Sequence, residues 1–267
     1  MHGLGNDFIV LETAQVKGAN IPKFAKQICN RREGIGADQI LVLGKSRKAD
    51  ILMRIFNADG SEAEMCGNGL RCAARYAREH QMCKKTELTI ETLAGVRTVK
   101  ALGKKSFRVN MGAPILKGKE IPVSLSGRVI NRPIRSEGRD FRVTCVSMGN
   151  PHCVLFVDNL EDFPVAKVGP ILENHSIFPK KTNVEFVQTI KDSAISVRVW
   201  ERGAGETLAC GSGACAAAVA SVLNGVADRN VTVHLPGGPL QILWDRESGQ
   251  VFMTGPAEEV FTGEFDI

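Results

Sequence analysis

Met65-Cys66-Gly67-Asn68-Gly69-Leu70-Arg71-Cys72-Ala73-Ala74 and Ala209-Cys210-Gly211-Ser212-Gly213-Ala214-Cys215-Ala216-Ala217-Ala218 read as two copies of one pattern. Each runs Cys-Gly-polar-Gly and then into alanines. The glycines permit a tight turn and the alanines favour a helix. The pattern therefore predicts a cysteine at the N-terminus of each helix. Unpaired N–H groups and the positive end of the helix dipole lie there. Such a position lowers a thiol pKa and also suits an anion.

Cys210 follows Cys66 by 144 residues, and the same offset places Gly5-Asn6 on Gly149-Asn150, Gln39 on Asn183, Ile55-Phe56 on Val199-Trp200 and Glu62 on Glu206. A register shared by several polar residue types predicts two similar domains, each supplying one cysteine. Turn residues at Met111-Gly112-Ala113-Pro114 and Gly255-Pro256 read as crossings. The first domain is expected over residues 1–111 with the tail 256–267, and the second over 112–255.

A chain of 267 residues can bury the cores of two small domains, and 43% hydrophobic against 24% charged residues is ordinary for a soluble globular protein. The net charge of +5 is mild and its basic residues are scattered; one tyrosine and two tryptophans give few platforms for stacking bases. No nucleic-acid partner is expected. No apolar run reaches the roughly 18 residues of a membrane span. The first residues lack the charged and apolar regions of a signal peptide, so a cytoplasmic protein with reduced thiols is expected. The eight cysteines contain no Cys-x-x-Cys, and their spacing does not resemble a zinc site. No metal is expected.

Apolar periodicity predicts strands over 8–13, 39–43, 51–56, 87–92, 96–101 and 106–110, then 141–147, 152–157, 184–189, 194–200, 231–235, 240–244 and 250–254. Asn20 is expected to cap a short helix with Pro22 in its first turn. A helix runs from Cys66 to about Gln81, and a helical stretch covers 160–174, weakened by Pro164 and Pro170. The helix after Cys210 is small and apolar nearly all round, through Leu223. Such a helix is buried on every side, and in a strand-rich domain this implies a sheet wrapped around it. The fold class is therefore α/β: two pseudo-twofold domains, each a sheet around a central helix, with the active site in the cleft between them.

Two activated thiols fit several chemistries. A dithiol redox pair is usually local, and this one is not. A cysteine hydrolase would use one thiol with His152 as base, leaving the second cysteine unexplained. A racemase or epimerase explains both: one group removes a proton from one face of a carbon and the other returns one to the opposite face. The N–H groups at Gly67-Asn68 and Gly211-Ser212 would then meet the substrate carboxylate as negative charge spreads into it. No lysine sits in a phosphate-binding context that would argue for pyridoxal phosphate. A catalytically dead binding protein on the same fold is the alternative from another class.

At these residues the chain resembles the diaminopimelate epimerase family. The likeness is carried by His2-Gly3-Leu4-Gly5-Asn6-Asp7-Phe8, Asn57-Ala58-Asp59-Gly60-Ser61, Cys66-Gly67-Asn68-Gly69 with Arg71, Gly149-Asn150-Pro151-His152, Trp200-Glu201-Arg202-Gly203 and Ala209-Cys210-Gly211-Ser212-Gly213. The resemblance implies cofactor-independent interconversion of LL- and meso-diaminopimelate, serving lysine and peptidoglycan synthesis, by a homodimer. It implies Cys66 and Cys210 as the acid/base pair, with His152 and Glu201 tuning the reacting centre. It implies substrate contacts from Asn6, Gln39, Asn57, Gly67, Asn68, Asn150, Asn183, Glu201, Arg202, Gly211 and Ser212. The guanidinium of Arg202 suits the distal carboxylate, and asparagine oxygens with Glu201 suit the distal ammonium. Proline, hydroxyproline and glutamate racemases are the nearest rivals.

Overall fold

The computed structural model describes residues 1–265. The chain forms two compact units: Met1–Asn110 with the residues from Thr254 on, and Met111–Met253. The residues read as crossing turns are partly strand. Met111 and Gly112 end the strand Ser106–Gly112, and Gly255 and Pro256 end Val251–Pro256.

In the first unit the strand Asn6–Glu12 runs parallel to Gln39–Gly44, with Phe8 opposite Gln39. The connection carries helix α1, Ile21–Ile28. Its cap is as the sequence predicts: the Asn20 side chain accepts the Lys23 N–H at 3.1 Å, and Pro22 lies in the first turn. Gln39–Gly44 pairs antiparallel with Ile51–Asn57, which runs parallel to Glu87–Thr92. Helix α2, Gly67–Glu79, lies in that second connection. It ends two residues earlier than expected, and Gln81 beyond it takes a left-handed φ of 59°.

Ile40, Leu41, Val42 and Leu43 are all buried because this part of the sheet is covered on both faces. Ile40 and Val42 pack with Phe24, Ala25 and Ile28 of α1. Leu41 points the other way, and a Cβ added at Gly69 of α2 would meet its methyl group at 3.2 Å. Alternation along a strand thus serves two separate layers. Helix α2 packs against His2–Gly3, Asn6–Glu12, Gln39–Gly44, Ile51–Asn57 and Gly95–Ala101, so the sheet curls around it.

The second unit repeats this plan. Pro151–Phe156 runs parallel to Asn183–Lys191, with His152 opposite Asn183, the pair that the 144-residue offset generates from Phe8 and Gln39. Ile55 opposite Ala63 recurs as Val199 opposite Thr207. The ion pair Arg54–Glu62 recurs as Arg198–Glu206, both 2.7 Å. Helix α3, Val165–Glu173, begins only after Pro164, later than the expected 160. Proline fixes its own φ and disfavours helix in the residue before it, so the helix starts beyond it. Helix α4, Gly211–Leu223, is buried from Gly211 to Ser221 apart from Ser212. It packs against six strands of its unit, as its all-round apolar character predicts.

Gly169 of α3 sits against Trp200, whose ring carbon Cγ would lie 2.5 Å from an added Cβ. The same indole donates to Glu173 Oε2 at 2.8 Å and so cannot move aside freely. Gly169→Ala is expected to destabilise the protein by about 1–3 kcal/mol through overpacking. Urea unfolding followed by tryptophan fluorescence measures this; an unchanged midpoint would contradict the packing.

Candidate active site

The expected site residues of the first unit gather where its strands meet the start of α2. Asn6 opens one strand, Gln39 opens the next, Asn57 closes the third, and Cys66 is the residue before α2. Cys66 is extended (φ −139°, ψ 120°), and its sulfur accepts the Gly69 N–H at 3.5 Å, so the thiol itself caps the helix. The first-turn N–H groups, Gly67 and Asn68 among them, have no carbonyl acceptor within the helix. The Cys66 thiol donates to Asn6 Oδ1 at 3.6 Å, and Asn68 Nδ2 donates to the same oxygen at 3.2 Å. Gln39 Nε2 donates to Asn57 Oδ1 at 2.7 Å, while Gln39 Oε1 is buried without a hydrogen-bond partner among the described residues.

In the second unit Cys210 caps α4 in the same way, accepting the Gly213 N–H at 3.4 Å, with Ser212 Oγ 3.5 Å from the sulfur. Asn150 Nδ2 donates to Ser212 Oγ at 3.3 Å, and Asn150 Oδ1 faces His152 Nε2 at 2.9 Å. Asn183 Oδ1 accepts the Arg202 backbone N–H at 3.0 Å, and Asn183 Nδ2 donates to the Pro151 carbonyl at 2.9 Å. Asn183 therefore holds the Arg202 turn. Glu201 Oε1 accepts the Thr207 hydroxyl at 2.5 Å, and Arg202 Nη1 donates to the Lys180 carbonyl at 3.1 Å.

The thiol environment departs from expectation at Cys210. Burial pushes its pKa up, Glu201 and Glu185 push it further, and the Ser212 hydroxyl and Gly213 N–H only partly offset them. The helix terminus does not win here because desolvation of a thiolate outweighs one cap. Cys210 is 7% exposed while Cys66 is partly open. Iodoacetamide at pH 8 is accordingly expected to modify Cys66 at least about tenfold faster than Cys210, since the thiolate is the nucleophile. Peptide mass mapping over time reads both rates, and equal rates would contradict the stated environments.

Sequence reasoning missed Glu185. Its Oε1 lies 2.6 Å from His152 Nδ1, and both side chains are fully buried. Burial raises the Glu185 pKa, and His152 pulls it back down. The offset of 144 matches His152 to Phe8 and Glu185 to Leu41, so a buried polar pair takes the place of an apolar one. The available signal was a carboxylate within the otherwise apolar run Val184–Val187. Also missed were Asp7, Arg31 and Asp38, which surround Asn6, and Arg71 on α2. The Arg71 side chain is fully buried, donating to the Pro256 carbonyl at 2.8 Å and to Asn68 Oδ1 at 2.9 Å.

Each half thus presents a thiol at a helix N-terminus, flanked by amides, on a repeated sheet. The fold is shared with solved structures of low sequence identity. A Bacillus anthracis phenazine biosynthesis protein of the PhzF family superposes with a TM-score of 0.68 at 19% identity, covering 97% of this chain and 93% of that one. A hydroxyproline epimerase from Agrobacterium vitis superposes with a TM-score of 0.67 at 14% identity, covering 95% and 87%. These likenesses show a fold shared along nearly the whole chain. The family model for diaminopimelate epimerase matches residues 1–117 and 144–260. A diaminopimelate epimerase of Moorella thermoacetica is 52% identical over 100% of this chain and 98% of its own length. One from Methanococcus maripaludis is 48% identical over 100% and 98%. The chain belongs to the diaminopimelate epimerase family. Among the described residues no helix is long and apolar enough to cross a membrane.

Proposed function

We propose that this protein interconverts LL- and meso-2,6-diaminopimelate, for lysine and peptidoglycan precursor synthesis in the cytoplasm, with Cys66 and Cys210 as the acid/base pair. The observation that carries this reading is the recurrence of a thiol as the cap of a glycine-started helix in both halves of a chain of this family. One cysteine acts as thiolate and takes the α-proton, forming an S–H bond as the C–H bond breaks. The electron pair left on carbon spreads into the α-carboxylate. The other cysteine gives its thiol proton to the opposite face and becomes the thiolate. The reverse direction exchanges the roles, so the pair carries one proton between them and titrates jointly.

The N–H groups at Gly67-Asn68 and Gly211-Ser212 stabilise the carboxylate as its charge grows. Arg202 holds the distal carboxylate; Asn57, Asn183, Gln39 and Glu201 supply acceptors for the distal ammonium, with Asn6 and Asn150 beside the reacting end. His152 sets the Asn150 amide and supports the Cys210 side. No cofactor takes part in this scheme. The active form is proposed to be a homodimer, with the exposed Phe261 ring as a contact.

The test is incubation of the purified protein with either stereoisomer, without added cofactor, followed by chromatographic separation of the isomers. The expected result is one equilibrium mixture approached from both sides, with L-glutamate and L-proline unchanged. Racemisation of glutamate or proline with diaminopimelate untouched would overturn the substrate assignment.

A further inference from the structure

The Asn6 amide sits between a carboxylate and a thiol. Asn6 Nδ2 donates to Asp38 Oδ2 at 2.9 Å, while its Oδ1 receives the Cys66 thiol and Asn68 Nδ2. Asp38 is itself held. Arg31 Nη2 donates to Asp38 Oδ1 at 2.9 Å and to Asp7 Oδ1 at 2.8 Å, and Arg31 Nη1 reaches Asp7 Oδ2 at 2.9 Å. Asp7 and Asp38 also exchange backbone bonds: the Asp38 N–H donates to Asp7 Oδ1 at 2.8 Å and the Asp7 N–H to Asp38 Oδ2 at 3.2 Å. Burial pushes the Asp7 carboxyl up, but Arg31 and the Asp38 N–H outweigh it and hold the group below its usual range. Arg31 can approach because residue 36 is glycine. That residue has a φ of 84°, and an added Cβ would lie 2.9 Å from Arg31 Cα.

We propose that Asp38, clamped by Arg31 and Asp7, is a positioning residue that turns the Asn6 amide so that its oxygen faces the Cys66 thiol. This rests on the reading of Cys66 as a catalytic group. An ionised carboxylate only accepts and a guanidinium only donates. The chain Asp38–Asn6–Asn68–Arg71 has an acceptor at one end and a donor at the other, so both amides must point the same way. Asn6 Oδ1 is thereby the atom offered to the thiol, and it keeps the proton on sulfur until substrate arrives. The second unit lacks the device. The offset places Thr182 at the position of Asp38, and its hydroxyl donates to the Asn183 carbonyl at 3.0 Å. Asn150 correspondingly turns its nitrogen to Ser212 and its oxygen to His152. The charged groups bonded into this network are Asp7, Arg31, Asp38 and Arg71.

The test compares Asp38→Ala with Asp38→Asn, by steady-state kinetics and by the pH profile of Cys66 alkylation read by peptide mass. Both variants remove the same charge, but only asparagine retains an oxygen that can accept from Asn6. Asp38→Ala is expected to lower kcat about tenfold or more and move the alkylation midpoint down by roughly half a unit to one unit. Asp38→Asn is expected to recover most of both. Arg31→Gln, which frees the carboxylate without touching Asn6, lowers kcat in the same way by less, and it stands in on that readout if Asp38→Ala fails to fold. Equal behaviour of Asp38→Ala and Asp38→Asn, or wild-type behaviour of both, overturns the proposal. Cys66→Ala runs alongside: epimerisation that survives it defeats the catalytic reading, while the alkylation profiles still decide the positioning of Asn6.

Discussion

Cys66→Ala and Cys210→Ala are each expected to lose at least about a thousandfold in kcat/KM for epimerisation, while remaining folded. Each cysteine sulfur accepts a weak N–H contact that caps its helix, at 3.5 Å from Gly69 and 3.4 Å from Gly213, and also meets Asn6 Oδ1 at 3.6 Å or Ser212 Oγ at 3.5 Å. Alanine forfeits these long sulfur contacts and a modest volume, which costs stability little beside the catalytic loss. Inversion needs a proton donor on one face and an acceptor on the other, so removing either group removes the reaction. One remaining thiol can still take a proton and return one to the same face. The single variants are therefore expected to exchange the α-proton slowly with solvent without inverting the centre. The measurement is stereoisomer separation with circular dichroism of each variant. Substantial inversion by a folded single variant would show that another group serves as the second acid/base.

The second large effect concerns His152 and Glu185. Removing one member of a buried pair strands the other, at a cost of about 3–5 kcal/mol. His152→Phe leaves Glu185 without its ring nitrogen, and Glu185 Oε2 already lacks a partner among the described residues. Glu185→Leu strands His152 Nδ1. The repeat supplies the repair, because Phe8 and Leu41 occupy the matching positions of the first unit around Gly69. The double variant His152→Phe/Glu185→Leu is expected to return to near wild-type stability, so the coupling energy in a double-mutant cycle is about the sum of the two single costs, roughly 6–10 kcal/mol. It remains catalytically impaired, since Asn150 loses the nitrogen that orients it.

The pH dependence has a definite sign. Glu185 has a raised pKa from burial, so above about pH 4.5 the unfolded state ionises more readily and stability falls as pH rises. His152→Phe takes away the group that opposes this rise, so its stability is expected to fall more steeply between about pH 5 and 8 than that of the wild type. Urea midpoints across that range read the slope. A flat profile, or additive single effects, would contradict the coupling of the pair.

What the sequence made legible was local or repeated. Cys-Gly-x-Gly followed by alanines specifies a helix start through neighbours in the chain, and Asn20 with Pro22 does the same for α1. The apolar run Ile40–Leu43 was legible as a strand, whereas its burial on both faces came only with the helices that cover it. Glu185 was hidden because its burial depends on pairing with His152, 33 residues away and on another strand. Asp38 was hidden for the same reason: its partners Asn6 and Asp7 arrive from a different strand. Strands of two residues, such as His2–Gly3 and Glu62–Ala63, are too short to show a period. The Cys210 thiol shows the limit of the helix-terminus rule, since sequence gives the cap but not the burial that opposes it.

The most direct measurement is proton NMR in deuterated water at low conversion, with LL-diaminopimelate, the purified reduced protein and no added cofactor. Two thiols acting on opposite faces predict deuterium at the inverted carbon of the meso product while the remaining LL substrate keeps its protons. Equal early labelling of substrate and product, which a single base acting on both faces would give, would contradict the two-thiol mechanism.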